Sequence, residues 1–220
     1  THHMPVNKKE TVSFYSHLLG VVIAIPGLAL LIGATKDNMS FLTVAVIYGL
    51  SLILLYAASS LYHGFKKKDE EISFWRKLDH LAIFVLIAGT YTPVCYLYLD
   101  GNVRWIALAI QWGFVLFGLF FVLIWQNAPR LLYTAIYVIM GWMAVFLIGK
   151  MWPAMSIESL VWLFAGGVSY SVGAAMYALK KPVLKPGVFS FHEMFHMFIL
   201  IGSLMHFMMV YRTFRLMIAG

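Results

Sequence analysis

Two histidines four residues apart open the last apolar stretch of the chain, in the segment His192-Glu193-Met194-Phe195-His196. On a helix that spacing stacks both imidazoles on one face, one turn apart, where they can share an ion. Ionisable side chains are costly inside a membrane span and mark function by default, with a partner to be found. The candidates for that partner are few. His63 closes the second apolar stretch, and Asp79 opens the third. Ser59 precedes His63 by four residues and shares its helical face, while Ser60 points about 100° away. Three imidazoles with water in a fourth position form an established arrangement for catalytic zinc. A nearby carboxylate such as Asp79 suits it as a base or a water ligand, and a hydroxyl such as Ser59 as a hydrogen-bonding aid.

The elements that must carry these residues follow from composition. Of 220 residues, 62% are hydrophobic and only 11% charged, and mean hydropathy is +0.84, against the roughly 25% charged content of soluble domains. Apolar stretches of about 20 residues, enough to cross a bilayer core as helix, occur at 13–34, 40–64, 76–99, 103–125, 130–149, 157–179 and 188–211. The expected architecture is an all-α integral membrane protein, one seven-transmembrane-helix bundle without linkers or a soluble domain. Thr1-His2-His3-Met4 reads as a tag remnant, so His2 and His3 are set aside. Cys95 is the single cysteine, which excludes an intrachain disulfide and a cysteine-based metal cluster.

Basic residues set the expected orientation. Alternate loops place Lys8, Lys9, Lys66, Lys67, Lys68, Arg76, Lys77, Arg130, Lys180, Lys181 and Lys185 on one side, eleven in all, against five on the other: Lys36, Arg104, Lys150, Arg212 and Arg215. The N-terminus is therefore expected in the cytoplasm and the C-terminus outside. His63, Asp79 and His192 then fall at one depth, the cytoplasmic end, although over a hundred residues separate them. The net charge of +7 lies in short loops beside helix ends, which suits anionic lipid headgroups and not nucleic acid.

Taken together, Ser59-x-x-x-His63, Lys77-Leu78-Asp79 and His192-x-x-x-His196 resemble the motifs of the progestin and adipoQ receptor superfamily, in its bacterial hemolysin III branch. The similarity extends over essentially the whole chain, including His206-Phe207, and reaches the membrane hydrolases that include alkaline ceramidases. The resemblance implies Zn2+ held by His63, His192 and His196, with Asp79 and Ser59 beside its water. It further implies hydrolysis of a lipid amide entering from the bilayer of the cell membrane. The large cytosolic N-terminal region of the animal receptors is missing from this sequence.

Other functions compete. The segment also spells HExxH, in which the intervening Glu is the base of a metalloprotease, yet no Asp or Glu follows Glu193 to supply a third ligand. On the lipid-hydrolase reading Glu193 faces the headgroups or Lys185. Two further alternatives are a cytolytic or membrane-remodelling protein with structural zinc and a sensor of lipid state. A proton pump is disfavoured, because no chain of carboxylates or histidines crosses the spans. His206, ten residues past His196, is about 15 Å further along the helix and is expected to be structural or to line an outer cavity. His17 and His80 read as interfacial, with His80 able to support its neighbour Asp79. Gly166, Ser169 and Gly173 form a small-residue stripe for close helix approach. Pro26 and Pro93 are expected to bend spans one and three.

Overall fold

Each apolar stretch forms a helix, and the helices turn the hydrophobic rule of soluble proteins outward. The computed structural model describes residues 6–69 and 71–220; the segment read as a tag remnant, Thr1–Met4, lies outside the described residues. Helices α1 (Thr11–Thr35), α2 (Met39–Phe65), α3 (Phe74–Tyr98) and α4 (Gly101–Ile124) are followed by a broken fifth span, α5 (Arg130–Gly141) and α6 (Ala144–Met151). Then come α7 (Ile157–Leu179), a hairpin of β1 (Val183–Lys185) and β2 (Phe189–Ser190), and α8 (Phe191–Ala219). Among the described residues, seven helical spans are long and apolar enough to cross a membrane. Phe146 and Ile157 are 88% and 81% exposed, as befits side chains facing hydrocarbon. The protein is a seven-helix membrane bundle.

Local chemistry fixes the helix ends. Asn38, Ser73 and Ser156 cap α2, α3 and α7, accepting the backbone N–H groups of Phe41, Arg76 and Ser159. The hairpin, with Gly187 at φ +74°, delays α8 until Phe191, so its first turn begins three residues later than the 188 expected from hydropathy and runs on to Ala219. Helix α1 remains α-helical through Pro26, and α3 through Pro93.

The helix of the fifth span is broken at Trp142–Met143, where no proline marks it. Side chains from α3 and α4 satisfy the freed backbone. Tyr91 donates its hydroxyl to the Gly141 carbonyl at 2.5 Å and accepts the Ala144 N–H at 2.8 Å, while Gln111 Nε2 donates to the Met140 carbonyl at 3.0 Å. Irregular backbone at membrane depth is tolerated where protein covers it in this way.

Packing is tightest between α1 and α2 and between α7 and α8. The small-residue stripe faces α8: Gly166 abuts His206, Gly173 abuts Phe198, and Ser169 donates to the Phe198 carbonyl at 2.8 Å. Between α2, α3, α5, α7 and α8 lies a cavity of about 710 Å3 that extends from Asp79 and His192 to His206. That size is within the range of ligand-binding cavities.

Candidate metal centre

Helix α2 delivers His63 in its last turn, and α8 delivers His192 and His196 in its first two. One ligand atom from each lies within 4.8 Å of the others, so the three can hold a metal ion. His63 and His192 approach Nε2 to Nε2 at 3.2 Å. Two nitrogens bound tetrahedrally at 2.0–2.1 Å sit about 3.3 Å apart, so this pair has the separation that a shared ion requires.

The protonation of the rings can be deduced from their other bonds. His63 Nδ1 lies 2.5 Å from Glu10 Oε2; a carboxylate only accepts, so Nδ1 carries a hydrogen, and in the neutral ring a metal ligand must be, Nε2 is bare. The other Glu10 oxygen accepts from Lys66 Nζ at 2.8 Å. His196 Nδ1 meets Ser16 Oγ at 3.3 Å, and Ser16 already spends its one hydrogen on the Ser13 carbonyl at 3.1 Å. His196 is therefore the donor in that bond, which leaves its Nε2 bare as well. Neutral imidazoles with their second nitrogen engaged by an oxygen are what a divalent ion of zinc's type takes as ligands.

Asp79, in the second turn of α3, and Ser59, on α2, line the same cavity as His192 and His196. Asp79 is half-buried and Ser59 almost fully buried. All five residues singled out by spacing thus gather at one end of the bundle. His80, beside Asp79, directs Nδ1 to the Arg76 carbonyl at 2.7 Å and also lines the cavity. His206 also lines the cavity, with Nε2 bonded to the Leu163 carbonyl at 3.0 Å.

Two expectations need correction. His17 is not interfacial: it is 1% exposed, stacks on His196 with ring centroids 3.6 Å apart, and holds Ser59 Oγ at 2.6 Å from Nδ1. Hydropathy placed it at the span's edge, whereas the burial of the small face of α1 against α2 and α8 brings it inside. Glu193 does not face headgroups or Lys185. It is buried; Oε2 accepts the Ser190 N–H at 2.7 Å, closing the capping box of α8, and Oε1 accepts from Ser13 at 3.3 Å.

The contribution of α1 was therefore missed. Glu10, Ser13, His17, Gly20 and Ala24 recur at intervals of three and four residues and form its buried stripe, with Ser16 alongside. Small and polar residues at helical spacing in an otherwise apolar span were the available signal.

Known proteins resemble the chain along nearly its whole length. The family model described as "Haemolysin-III related" matches residues 6–207. The chain is 36% identical over 203 residues to the "Hemolysin-3 homolog" of Bacillus subtilis, covering 89% of this chain and 90% of that protein. It is also 36% identical over 209 residues to "Hemolysin-3" of Bacillus cereus, covering 92% and 90%. A more distant relative, the "Adiponectin receptor protein" of Drosophila melanogaster, is 26% identical over 221 residues, 90% of this chain and 49% of the receptor. Together with the seven spans, these matches make the chain a multi-pass protein of the bacterial plasma membrane. It belongs to the haemolysin-III-related family, a branch of the progestin and adipoQ receptor superfamily.

Proposed function

We propose that the protein is a zinc-dependent membrane hydrolase acting on a lipid amide, with its site at the cytoplasmic end of the bundle. One observation carries this reading: three imidazoles, each offering a ring nitrogen within 4.8 Å of the others, converge beside a cavity that also receives a carboxylate and a hydroxyl. His63, His192 and His196 would hold the ion. When bound, zinc supplies a Lewis acid and brings the pKa of its water to about 7.

The remaining work belongs to the chain. Asp79 orients the attacking water and takes its proton, from a helix that carries none of the ligands. Ser59 donates its hydroxyl to the substrate carbonyl and to the oxyanion formed from it. Glu10 holds the His63 ring in place through Nδ1. Beyond the polar layer, Ile83, Ile87, Phe164, Phe195 and Ile199 line the cavity, a wall suited to the acyl chain of a lipid. Glu193 has both oxygens occupied in the capping of α8 and in the bond to Ser13, which argues against the HExxH protease.

A cytolytic reading draws on the name carried by the Bacillus cereus relative. Metal analysis of the purified protein, combined with an untargeted lipid-turnover comparison of wild type and His63→Ala, separates the two. About one metal ion per chain and lipid-amide cleavage lost in His63→Ala support the hydrolase. Dye release from vesicles by a metal-loaded protein that cleaves no lipid supports cytolysis.

A further inference from the structure

His17 reaches the edge of the cavity from α1, beside Ser59. Its Nδ1 lies 2.6 Å from Ser59 Oγ, its ring is packed flat on His196 at an interplanar angle of 11°, and its Nε2 is buried without a hydrogen-bond partner among the described residues. Ser59 in turn lines the cavity together with Asp79. We infer that His17 is a positioning residue that donates from Nδ1 to Ser59 Oγ and so keeps the Ser59 hydrogen directed at the cavity, toward Asp79 or a substrate oxygen.

The direction of that bond follows from the unpaired nitrogen. A neutral imidazole has one N–H and one bare nitrogen. If Ser59 donated to Nδ1, the ring hydrogen would lie on Nε2, a buried donor with no acceptor, which folded proteins rarely carry. With the hydrogen on Nδ1, the unpaired Nε2 is only an acceptor, the milder deficit. The donor bond also polarises Ser59 and strengthens the bond that its own hydroxyl makes. Stacking on His196 and an edge contact with Tyr56, centroids 5.1 Å apart, fix the ring plane.

This assignment rests on the hydrolase reading for its consequence in catalysis, but its geometry is testable without turnover. Nitrogen-15 NMR of histidine-labelled protein in lipid nanodiscs distinguishes protonated from bare ring nitrogens, and the His17 signals are identified by their loss in His17→Asn. The expected result is a protonated Nδ1 and a bare Nε2, with the Nδ1 resonance displaced in Ser59→Ala. A proton on Nε2 overturns the inference. Where lipid-amide turnover is measurable, His17→Phe, which keeps a flat ring but no donor, should lower kcat about 10- to 100-fold, less than the roughly 10²–10³ lost with a donor that itself contacts the oxyanion, because His17 acts through Ser59. KM and metal content should change little. His17→Asn places an amide N–H near the position of Nδ1 and should recover most of that loss. Adding His17→Phe to Ser59→Ala should cost nothing further, because the effect passes through Ser59. Wild-type kcat in His17→Phe, or full additivity with Ser59→Ala, also overturns it. A wild type that turns over no lipid removes the hydrolase reading alone, and the proton position still decides the role of His17.

Discussion

Glu10, on the turn that precedes α1, and His63, at the end of α2, are joined by a 2.5 Å bond between carboxylate and Nδ1 across the cytoplasmic end proposed for the bundle. The bond fixes the ring's tautomer and aims Nε2 at His192. Lys66 holds the second carboxylate oxygen at 2.8 Å, so the carboxylate cannot rotate freely away from the ring.

Glu10→Gln should therefore weaken the metal site without emptying it. Loss of such a supporting carboxylate typically lowers metal affinity 10–100-fold. Competition with a chelator of known affinity measures the change. By contrast, His192→Ala or His196→Ala should leave little bound metal at any practical concentration. Full metal retention in both alanine variants would sink the proposed centre.

At the other end of the cavity, His206 is held between the Leu163 carbonyl and the bare surface of Gly166. A methyl group at residue 166 would overlap the His206 ring. Gly166→Ala should destabilise the fold by about 1–3 kcal/mol, the usual cost of overpacking, and thermal unfolding in detergent reads it out. His206→Ala should keep its metal, and the double variant should recover stability relative to Gly166→Ala by vacating the space.

Much of this arrangement was legible in the sequence, for identifiable reasons. Hydropathy marks spans, and the i, i+4 spacings of Ser59 with His63 and of His192 with His196 mark faces. Harder to read was rotation: α1 is apolar nearly all round, so its inward face is marked only by the three- and four-residue spacing of small and polar residues such as Ser13, His17 and Gly20, a fainter signal than a pair of histidines. Pairings such as Glu10 with His63 or Glu193 with Ser13 depend on which helices become neighbours. Likewise, the break after Gly141 depends on Tyr91 and Gln111, supplied by other helices.

Reporter fusions should place the N-terminus in the cytoplasm and the C-terminus outside. The basis is the division of basic residues, eleven against five, between the two sets of loops. Both termini on one side would contradict an odd number of crossings. A reversed orientation would move the metal site to the outer face and with it the side from which water is supplied.

The two carboxylates nearest the histidines make different predictions. Asp79 lines the cavity with Ser59, whereas Glu193 accepts from Ser190 and Ser13 and closes the first turn of α8. Asp79→Asn should lower lipid-amide hydrolysis by 10²-fold or more, within the roughly 10²–10⁴ that a general acid or base contributes, while much of the metal stays bound. Glu193→Gln keeps a helix-capping acceptor and should change the rate by less than about tenfold on the same scale. Glu193→Ala removes the cap and should cost about 0.5–2 kcal/mol of stability, with the surviving folded protein still active. Rate measurements on metal-loaded protein, paired with thermal unfolding, separate the effects. If Glu193 proved essential and Asp79 expendable, the chemistry would pass from the α3 carboxylate to the HExxH segment, and peptide bonds would replace lipid amides as the substrate to test.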